Sequence, residues 1–163
     1  MLEATLYFDG GIRQDIMAYG WLLVDKTIVD LRNCLSNDNK DVIASGNKTC
    51  GEGTSNIAEY RALIAGLRGS LKCGVDVIHI IGDSQLIIKQ VTGVFKVKKP
   101  ELKTHRDYVL ELLNHFEDFT IKWVPRVENK RADALVNAVF ERKNEKCSPK
   151  KKNQGRKDLR KRS

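Results

Sequence analysis

The spacing of hydrophobic positions changes along the chain, and this change predicts a mixed α/β fold. In the first fifty residues the apolar positions form short runs rich in strand-forming residues, separated by turn signals such as Asp9-Gly10-Gly11. Runs of this kind are typical of β-strands. They predict strands at residues 2–8, 18–24 and 41–49, joined as an antiparallel meander.

From residue 56 onward the apolar positions recur at spacings of three and four, which predicts an amphipathic helix ending at Gly74. The nearly continuous apolar run after it, up to Gly82, has the length and β-branched content of a strand covered on both faces. Because a helix that connects two strands returns the chain to the same sheet, this strand is expected beside the first one.

Later segments complete the pattern. Helices are predicted at 84–92, 101–116 and 129–142, with a fifth strand at 119–124. The chain therefore predicts an α/β domain whose five-stranded mixed sheet, with three antiparallel and two parallel strands, is flanked by helices.

The charge of the chain is concentrated at one end. The net charge is +8, but residues 142–163 hold eleven Lys or Arg against two acids, so residues 1–141 carry 18 minus 19, or −1. Such a polar, basic segment predicts disorder. We therefore expect one domain over 1–142 and a basic disordered tail over 143–163, which is either a phosphate-binding arm or a solubilising or nuclear-address run. We favour the arm, because the domain itself has no net positive charge.

Cysteine usage and hydropathy indicate the compartment. The four cysteines lack the paired spacing of a metal site and the density of a disulfide scaffold, which predicts reduced thiols. No apolar stretch is long enough for a bilayer, and a signal pattern is absent from the first residues. We expect a soluble, cytoplasmic monomer with no membrane partner, or a nuclear one if the source is a eukaryote or virus.

Four acids stand where elements of the predicted fold begin or end. Asp9 ends the first strand, Asp83 ends the buried strand, and Glu59 and Asp133 lie in the first turns of the first and last long helices. The carboxyl ends of neighbouring strands in α/β sheets form sites, so Asp9 and Asp83 are expected to converge. Carboxylates brought together raise each other's pKa, and divalent cations such as Mg²⁺ relieve the repulsion. Two such ions can act on the attacking and leaving oxygens of a phosphodiester.

Each acid also has a structural alternative. Asp83 and Ser84 could cap the helix that follows them, and Asn56 with Glu59 could form a capping box. Asp133 could complement the dipole of the last helix.

Three large side chains are expected in the core. His79 lies inside the buried strand and is interpreted as a hydrogen-bonded core residue. Trp21 and Trp123 are likewise interpreted as core residues rather than as platforms for nucleic acid.

The acids lie in four sequence blocks that resemble the signature blocks of type 1 ribonuclease H. The blocks are Tyr-Phe-Asp9-Gly-Gly, Thr54-Ser-Asn-Ile-Ala-Glu59-Tyr-Arg-Ala-Leu, Gly-Asp83-Ser-Gln-Leu and Arg126-Val-Glu-Asn129-Lys-Arg-Ala-Asp133-Ala-Leu. The resemblance covers residues 2–142 and implies a ribonuclease H-like fold. It implies an endonuclease that hydrolyses the RNA strand of RNA/DNA hybrids, leaving 5′-phosphate and 3′-hydroxyl ends. Asp9, Glu59, Asp83 and Asp133 would then hold two Mg²⁺ ions, with Mn²⁺ as the alternative.

The resemblance also implies contacts with the hybrid. The residues assigned to substrate binding are Gly11, Thr54, Ser55, Asn56, Ser84, Asn129, Lys96, Lys98 and Lys99. Arg126 is assigned an auxiliary role, because it is the only cation in a short loop where many relatives carry a histidine. This chain also lacks the basic protrusion of several relatives and the Asn-Pro-Gly run of the first hairpin.

Two other functions fit the same fold. One is a non-catalytic nucleic-acid-binding module, and the other is a different two-metal nuclease such as an exonuclease or a junction resolvase. Retention of all four acids disfavours the binding module, because negative charge facing phosphates weakens binding. The pairings of Asn56 with Glu59 and of Asn129 with Asp133 favour the hybrid nuclease over the other nucleases.

Overall fold

The computed structural model describes residues 1–26 and 39–147, and this part of the chain forms a five-stranded mixed sheet. The strands are β1 (Glu3–Arg13), β2 (Ile16–Asp25), β3 (Val42–Glu52), β4 (Val77–Gly82) and β5 (Asp118–Trp123). Their order is β3-β2-β1-β4-β5. The β1–β2 and β2–β3 pairs are antiparallel, whereas β1–β4 and β4–β5 are parallel. The predicted mixed sheet, with the first and fourth strands adjacent, is confirmed.

The described helices are α1 (Ser55–Lys72), α2 (Gln85–Val91), α3 (Pro100–Leu113) and α4 (Lys130–Cys147), with short 3₁₀ turns at Asn39–Asp41 and Arg126–Glu128. Thr54 caps α1, since its Oγ1 accepts a hydrogen bond from the backbone N of Ile57 at 3.3 Å. Ser84 caps α2 in the same way through Ile87, at 3.4 Å. These hydroxyls satisfy backbone donors that the first helical turn leaves without partners.

The helices cover both faces of the sheet. A Cβ on Gly20 of β2 would lie 2.8 Å from the Cβ of Leu135 in α4, whereas the next residue, Trp21, packs against Gly69 of α1. Successive residues of a strand point to opposite faces, so α4 lies across the sheet from α1. The main core lies between the sheet and α1, and it includes the fully buried Leu6, Phe8, Leu63, Leu67, Ile78 and Ile80. A second cluster under α4 comprises Ala18, Val136, Val139 and Phe140.

The hairpin between β1 and β2 is short. It closes through Gln14 and Asp15, whose φ values are 49° and 63°. Positive φ at two consecutive turn residues is the geometry of a type I′ turn, which joins twisted antiparallel strands in register. The first strand therefore continues to Arg13, and the prediction that it ends at Asp9, with a turn at Gly10 and Gly11, is wrong.

Helix α4 continues past its predicted end. The apolar spacing stops near residue 142, but the helix extends to Cys147. Residues 141–147 are mostly Glu, Lys and Arg, which favour helix even without an apolar face. The prediction of a disordered tail is therefore wrong for residues 143–147. The remainder of that predicted tail, 148–163, lies outside the described residues.

The core assignment is wrong for Trp123 and too simple for His79. Trp123 is 39% exposed, because β5 lies at the edge of the described sheet. His79 is half-buried, and its Nε2 and Nδ1 lie 2.6 Å from Glu3 Oε1 and 2.7 Å from Thr120 Oγ1. Trp21 packs against the main core as expected.

Two further observations concern the cysteines and the lengths of the helices. Cys50 and Cys73 are free thiols, as the sequence predicted for them. Cys34 and the side chain of Cys147 lie outside the described residues. Among the described helices, none has both the length and the apolar content needed to cross a bilayer.

Candidate active site

Three carboxylates meet where β1 and β4 stop pairing. The last paired residues are Phe8 and Gly82, and Asp9 and Asp83 follow them directly. Glu59 reaches the same place from the second turn of α1. Carboxylate oxygens of these three residues lie within 4.8 Å of one another. The predicted convergence of the two aspartates is therefore present, and Glu59 joins it.

Gly10 explains why Glu59 lies beside Asp9. A Cβ at Gly10 would stand 2.3 Å from both the carbonyl carbon of Ala58 and the backbone N of Glu59. These distances are far below van der Waals contact, so only a glycine lets the backbones of β1 and α1 approach this closely. This contact places Glu59 next to Asp9.

Burial and mutual repulsion weaken the acidity of this cluster. The pKa of Asp9 is raised to about 7, first by burial and then by the charges of Asp83 and Asp133. The pKa of Glu59 is raised well above its ordinary value, first by burial and then by the charges of Asp9 and Asp83. Both side chains are less than a tenth exposed. At neutral pH the cluster therefore holds protons unless a cation replaces them.

The cluster fits a hard divalent cation. Glu59 Oε2 is buried and lacks a hydrogen-bond partner among the described residues. A buried carboxylate oxygen without a partner is costly unless a cation or donor satisfies it. Asp9, Glu59 and Asp83 supply the carboxylate oxygens that Mg²⁺ and similar ions prefer.

Asp133 faces the same cleft but is not one of the three mutually closest acids. All four acids line a cavity of about 490 Å³. Arg126 Nη2 donates to Asp133 Oδ1 at 3.0 Å, and Asn137 Nδ2 donates to Asp133 Oδ2 at 3.2 Å. The hydrogen bond and the charge of Asp133 raise the pKa of Arg126. Arg126 thus lies at the site, as expected, and restrains the fourth acid.

The N-caps of α1 and α2 are residues other than the acids. Thr54 and Ser84 cap α1 and α2, so the proposed capping box of Asn56 with Glu59 is absent and Asp83 is not the cap. Asp133 does lie in the first turn of α4, where it also complements the helix dipole.

Several predicted substrate contacts lie on the rim of the cleft. Gly11, Ser55, Asn56 and Ser84 line the cavity together with the acids. Thr54 is exposed immediately before Ser55. Lys96, Lys98 and Lys99 are exposed in the link between α2 and α3 and do not line this cavity.

Asn129 has a different position from the one expected for a substrate contact. Its side chain is 1% exposed, and its Nδ2 donates to the carbonyl oxygen of Phe8 at 2.9 Å. Its own carbonyl accepts from the backbone N of Asp133 at 3.1 Å. Asn129 therefore connects the residue before Asp9 to the turn that carries Asp133. The structure gives it a positioning role, and the predicted contact with substrate is wrong.

Sequence reasoning missed two residues of the site. Asn137 holds Asp133 and stands four residues after it, a spacing that places both on one helical face. Arg13 lines the cavity and stands four residues after Asp9, a spacing that places both on one face of a strand. Both of these four-residue spacings can be read from the sequence alone.

Comparison with known proteins assigns the family. The family model described as reverse transcriptase-like matches residues 9–139. The chain is 42% identical over 137 residues to ribonuclease HI of Halobacterium salinarum. The aligned residues cover 83% of this chain and 63% of that protein. The crystal structure of RNase H1 from the same archaeon superposes with a TM-score of 0.75 at 39% identity, covering 86% of this chain and 98% of that one.

The chain belongs to the type 1 ribonuclease H family. Another relative, LC11-RNase H1 in complex with an RNA/DNA hybrid, superposes with a TM-score of 0.73 at 28% identity, and the match covers 86% of this chain and 99% of that one. The chain spans about 63% of the length of the curated ribonuclease HI that it matches. The resemblance on the four acidic blocks is confirmed at the level of the family and its fold.

Removing divalent cations should make the stability of this ribonuclease H domain fall as pH rises. The ordinary pKa of an aspartate, 3.8, is raised at Asp9 to about 7 in the folded state. Between these values the folded state keeps a proton that the unfolded state releases, so a rise in pH favours unfolding. Denaturant unfolding in a chelator should give a smaller free energy at pH 7 than at pH 5, and Asp9→Asn should reduce the difference.

Added Mg²⁺ should reverse this trend, because a cation competes with the bound proton. The quantity to compare is the difference between the pH profiles of unfolding free energy for the parent and for Asp9→Asn. Groups distant from the site contribute equally to both profiles and cancel in this difference. Superimposable pH profiles for the two proteins in chelator would contradict it.

Asn129→Ala is expected to lower both stability and turnover. The change leaves the buried carbonyl of Phe8 without its donor, which costs about 1–3 kcal/mol of unfolding free energy. It also frees Asp9 from its link to the start of α4, so the rate at saturating substrate should fall more than KM rises. Asn114→Ala, at an exposed asparagine after α3, is the matched control. Equal melting and equal rates for the two variants would refute the positioning role.

Proposed function

We propose that this chain is an endoribonuclease that hydrolyses the RNA strand of RNA/DNA hybrids, using two divalent cations and leaving 5′-phosphate and 3′-hydroxyl ends. The observation that carries the proposal is the cluster of Asp9, Glu59 and Asp83, with oxygens within 4.8 Å, in a cleft that also contains Asp133. Membership of the type 1 ribonuclease H family supports the reaction, and a relative bound to an RNA/DNA hybrid supports the substrate.

The residues of the cleft would have distinct roles. Asp9, Glu59, Asp83 and Asp133 would hold the cations, of which Mg²⁺ is the proposed species and Mn²⁺ a substitute. When bound, the cations supply an activated water and neutralise charge that develops on the phosphate. Arg126 keeps Asp133 oriented, and its guanidinium carries a positive charge at the rim of the cleft.

The rim residues are suited to recognise a sugar-phosphate backbone. Ser55, Asn56 and Ser84 offer hydroxyl and amide groups, and Gly11 lies in the same lining of the cavity. Groups of this kind hydrogen-bond to 2′-hydroxyls and phosphate oxygens, and the 2′-hydroxyls distinguish a hybrid from double-stranded DNA.

A substrate panel tests the proposal. Labelled RNA/DNA hybrid, double-stranded RNA, double-stranded DNA and single-stranded RNA are incubated with the protein in chelator, in Mg²⁺ and in Mn²⁺. We expect internal cuts in the RNA strand of the hybrid, dependent on the cation, with 3′-hydroxyl ends on the products. Cutting that starts only from strand ends would support an exonuclease. Tight binding without cutting in either cation would support the binding module.

The basic segment that follows the domain is proposed as a phosphate-binding arm. Residues 148–163 hold eight Lys or Arg and one Asp. Because α4 extends to Cys147, a truncation after that residue removes the segment and keeps the helix. For each phosphate that the segment neutralises, the truncation should flatten the plot of log affinity against log salt by about 0.7–0.9.

Hybrid binding by the truncated protein should therefore weaken at low salt, while single-turnover cleavage at saturating enzyme should persist. The four acids all precede the truncation point. A truncated protein with the parent's affinity and salt slope would show that the segment is a spacer or an address instead.

A further inference from the structure

A second cavity lies beside the acidic cleft. Its volume is about 220 Å³, and it is lined by Arg13, Gln14, Ile16, Phe140, Lys143 and Asn144. It forms where the short β1–β2 hairpin meets the late turns of α4. Arg13 and Phe140 line both cavities, so the two spaces are neighbours across these side chains.

Arg13 is held in place between the two cavities. Its Nη2 donates to Asn137 Oδ1 at 2.7 Å, and its guanidinium carbon lies 4.8 Å from the centre of the Phe140 ring. The guanidinium group has five N–H donors in a rigid fork, and the bond to Asn137 uses one of them. Its remaining donors and its charge are therefore available, in a fixed orientation, to an anion.

The charge of the second cavity is opposite to that of the first. Its six lining residues include two cations, Arg13 and Lys143, and no carboxylate. The first cavity contains four carboxylates. A nucleic-acid strand whose phosphate lies at the carboxylates must place the next phosphates nearby, where cationic side chains can replace their counterions. The domain over residues 1–141 has no net positive charge, so local cations of this kind matter for holding a polyanion.

We propose that Arg13 and Lys143 form a phosphate subsite that binds a backbone phosphate of the strand held at the carboxylates, next to the phosphate that is cleaved. The inference rests on the proposed function, because it assigns a second contact with the same substrate. Arg13 supplies a forked, oriented contact, and Lys143 adds a point charge from α4. The ring of Phe140 packs against the Arg13 guanidinium group in a cation–π contact. The two parts of the fold that form the subsite are the two-residue hairpin turn and the extension of α4 past residue 142.

Salt-dependent binding gives the first test. Variants Arg13→Ala, Arg13→Lys and Lys143→Ala are compared in an Asp83→Asn background, with Mg²⁺ and an RNA/DNA hybrid, by fluorescence anisotropy over a series of KCl concentrations. Each alanine variant should lose about three- to tenfold in affinity at low salt and flatten the salt slope by about 0.7–0.9. Arg13→Lys should keep the slope, because the charge remains.

The control is Lys72→Ala, an exposed lysine at the last position of α1. At about 1.5 Å per residue it lies some 20 Å along the helix from Glu59, away from both cavities. It should have the parent's affinity and slope. Melting curves of all variants check that a change in binding does not reflect unfolding.

Neutral phosphate substitutions locate the contact. Hybrids carrying one methylphosphonate at a time, along the RNA strand on both sides of the cut, are bound to the parent and to Arg13→Ala. One position should weaken binding to the parent and leave binding to Arg13→Ala unchanged, because the contact is already absent there. If every substitution weakens both proteins equally, or if Arg13→Ala keeps the parent's salt slope, the subsite is refuted.

The outcome for the subsite can be separated from that for the reaction. Hybrid cleavage by the parent in Mg²⁺, together with an unchanged slope in Arg13→Ala, would overturn the subsite and leave the proposed function standing. A parent that neither cuts nor binds the hybrid would overturn both.

Discussion

Asp83→Asn is expected to lower the single-turnover rate of hybrid cleavage by about three orders of magnitude or more and to leave the fold intact. Asp83 is one of three acids whose oxygens lie within 4.8 Å of one another. An amide of nearly equal volume removes one ligand charge, and a metal-bound site supplies several kcal/mol of transition-state stabilisation. Since about 1.4 kcal/mol corresponds to a tenfold change in rate, a loss of this size is about a thousandfold.

In the absence of cations, Asp83→Asn should leave the thermal stability of the protein unchanged or raise it. Asp83 raises the pKa of both Asp9 and Glu59 by its charge, so its neutralisation relieves repulsion in the buried cluster. In chelator, Asp83→Asn should melt at the parent's temperature or above it. Thermal unfolding in chelator and in Mg²⁺ measures this directly.

The matched control is Asp118→Asn. Asp118 is an exposed aspartate at the first position of β5, and its carboxylate accepts from the backbone N of Phe119. It lies at the end of the sheet away from the cleft, so its variant should cleave at the parent's rate. Near-parent turnover of Asp83→Asn with normal melting would remove Asp83 from the active site.

Gly10→Ala is expected to reduce both stability and cleavage strongly. The new Cβ would stand 2.3 Å from backbone atoms of Ala58 and Glu59 and 2.6 Å from the carbonyl oxygen of Ala58. Backbone atoms of a packed helix cannot move aside as a flexible side chain can, so α1 must shift away from β1. Overpacking of this kind costs about 1–3 kcal/mol or more. The shift also separates Glu59 from Asp9, so the rate should fall by at least tenfold at saturating substrate and cation.

Gly11→Ala is the control that distinguishes a local clash at Gly10 from a general effect of an alanine in β1. At Gly11 the nearest atom to a new Cβ is Val136 Cγ1 at 3.4 Å, an ordinary van der Waals contact. Gly11→Ala should therefore change the free energy of unfolding much less than Gly10→Ala, as chemical denaturation would show. Equal destabilisation by the two variants would mean that the close approach of β1 and α1 is not what requires Gly10.

The sheet and its acids could be predicted because the deciding information was local. The three-to-four spacing from residue 56 and the apolar run before Gly82 each select one type of element, and the crossover rule then places β4 beside β1. Acids that follow the last paired residues of two adjacent parallel strands must converge, and this holds although β1 itself continues past Asp9 to Arg13. The close approach at Gly10 followed from no local pattern, since it depends on which helix packs against β1.

The errors arose where tertiary contacts decide the role of a residue. Trp123 is a large aromatic residue of the kind expected in a core. It is exposed because a strand at the edge of a sheet buries less of its side chains than a central strand does. Asn129 has the polarity of a substrate contact, but its amide is used within the protein, 121 positions from its partner. A single sequence does not indicate such a pairing. The predicted end of α4 is too early because apolar spacing, unlike helix propensity, stops before the helix does.

The hydrogen bond between Asn129 and Phe8 also bears on when the proposed nuclease activity begins during synthesis. It joins two segments 121 residues apart, so it can form only after nearly the whole domain has emerged and β1 has found its place in the sheet. A nascent chain that ends before residue 129 already contains Asp9, Glu59 and Asp83, yet it lacks both Asp133 and the anchor of Asp9. The hydrolytic activity proposed for the domain is therefore expected to begin only after α4 docks, so the order of folding would control its onset.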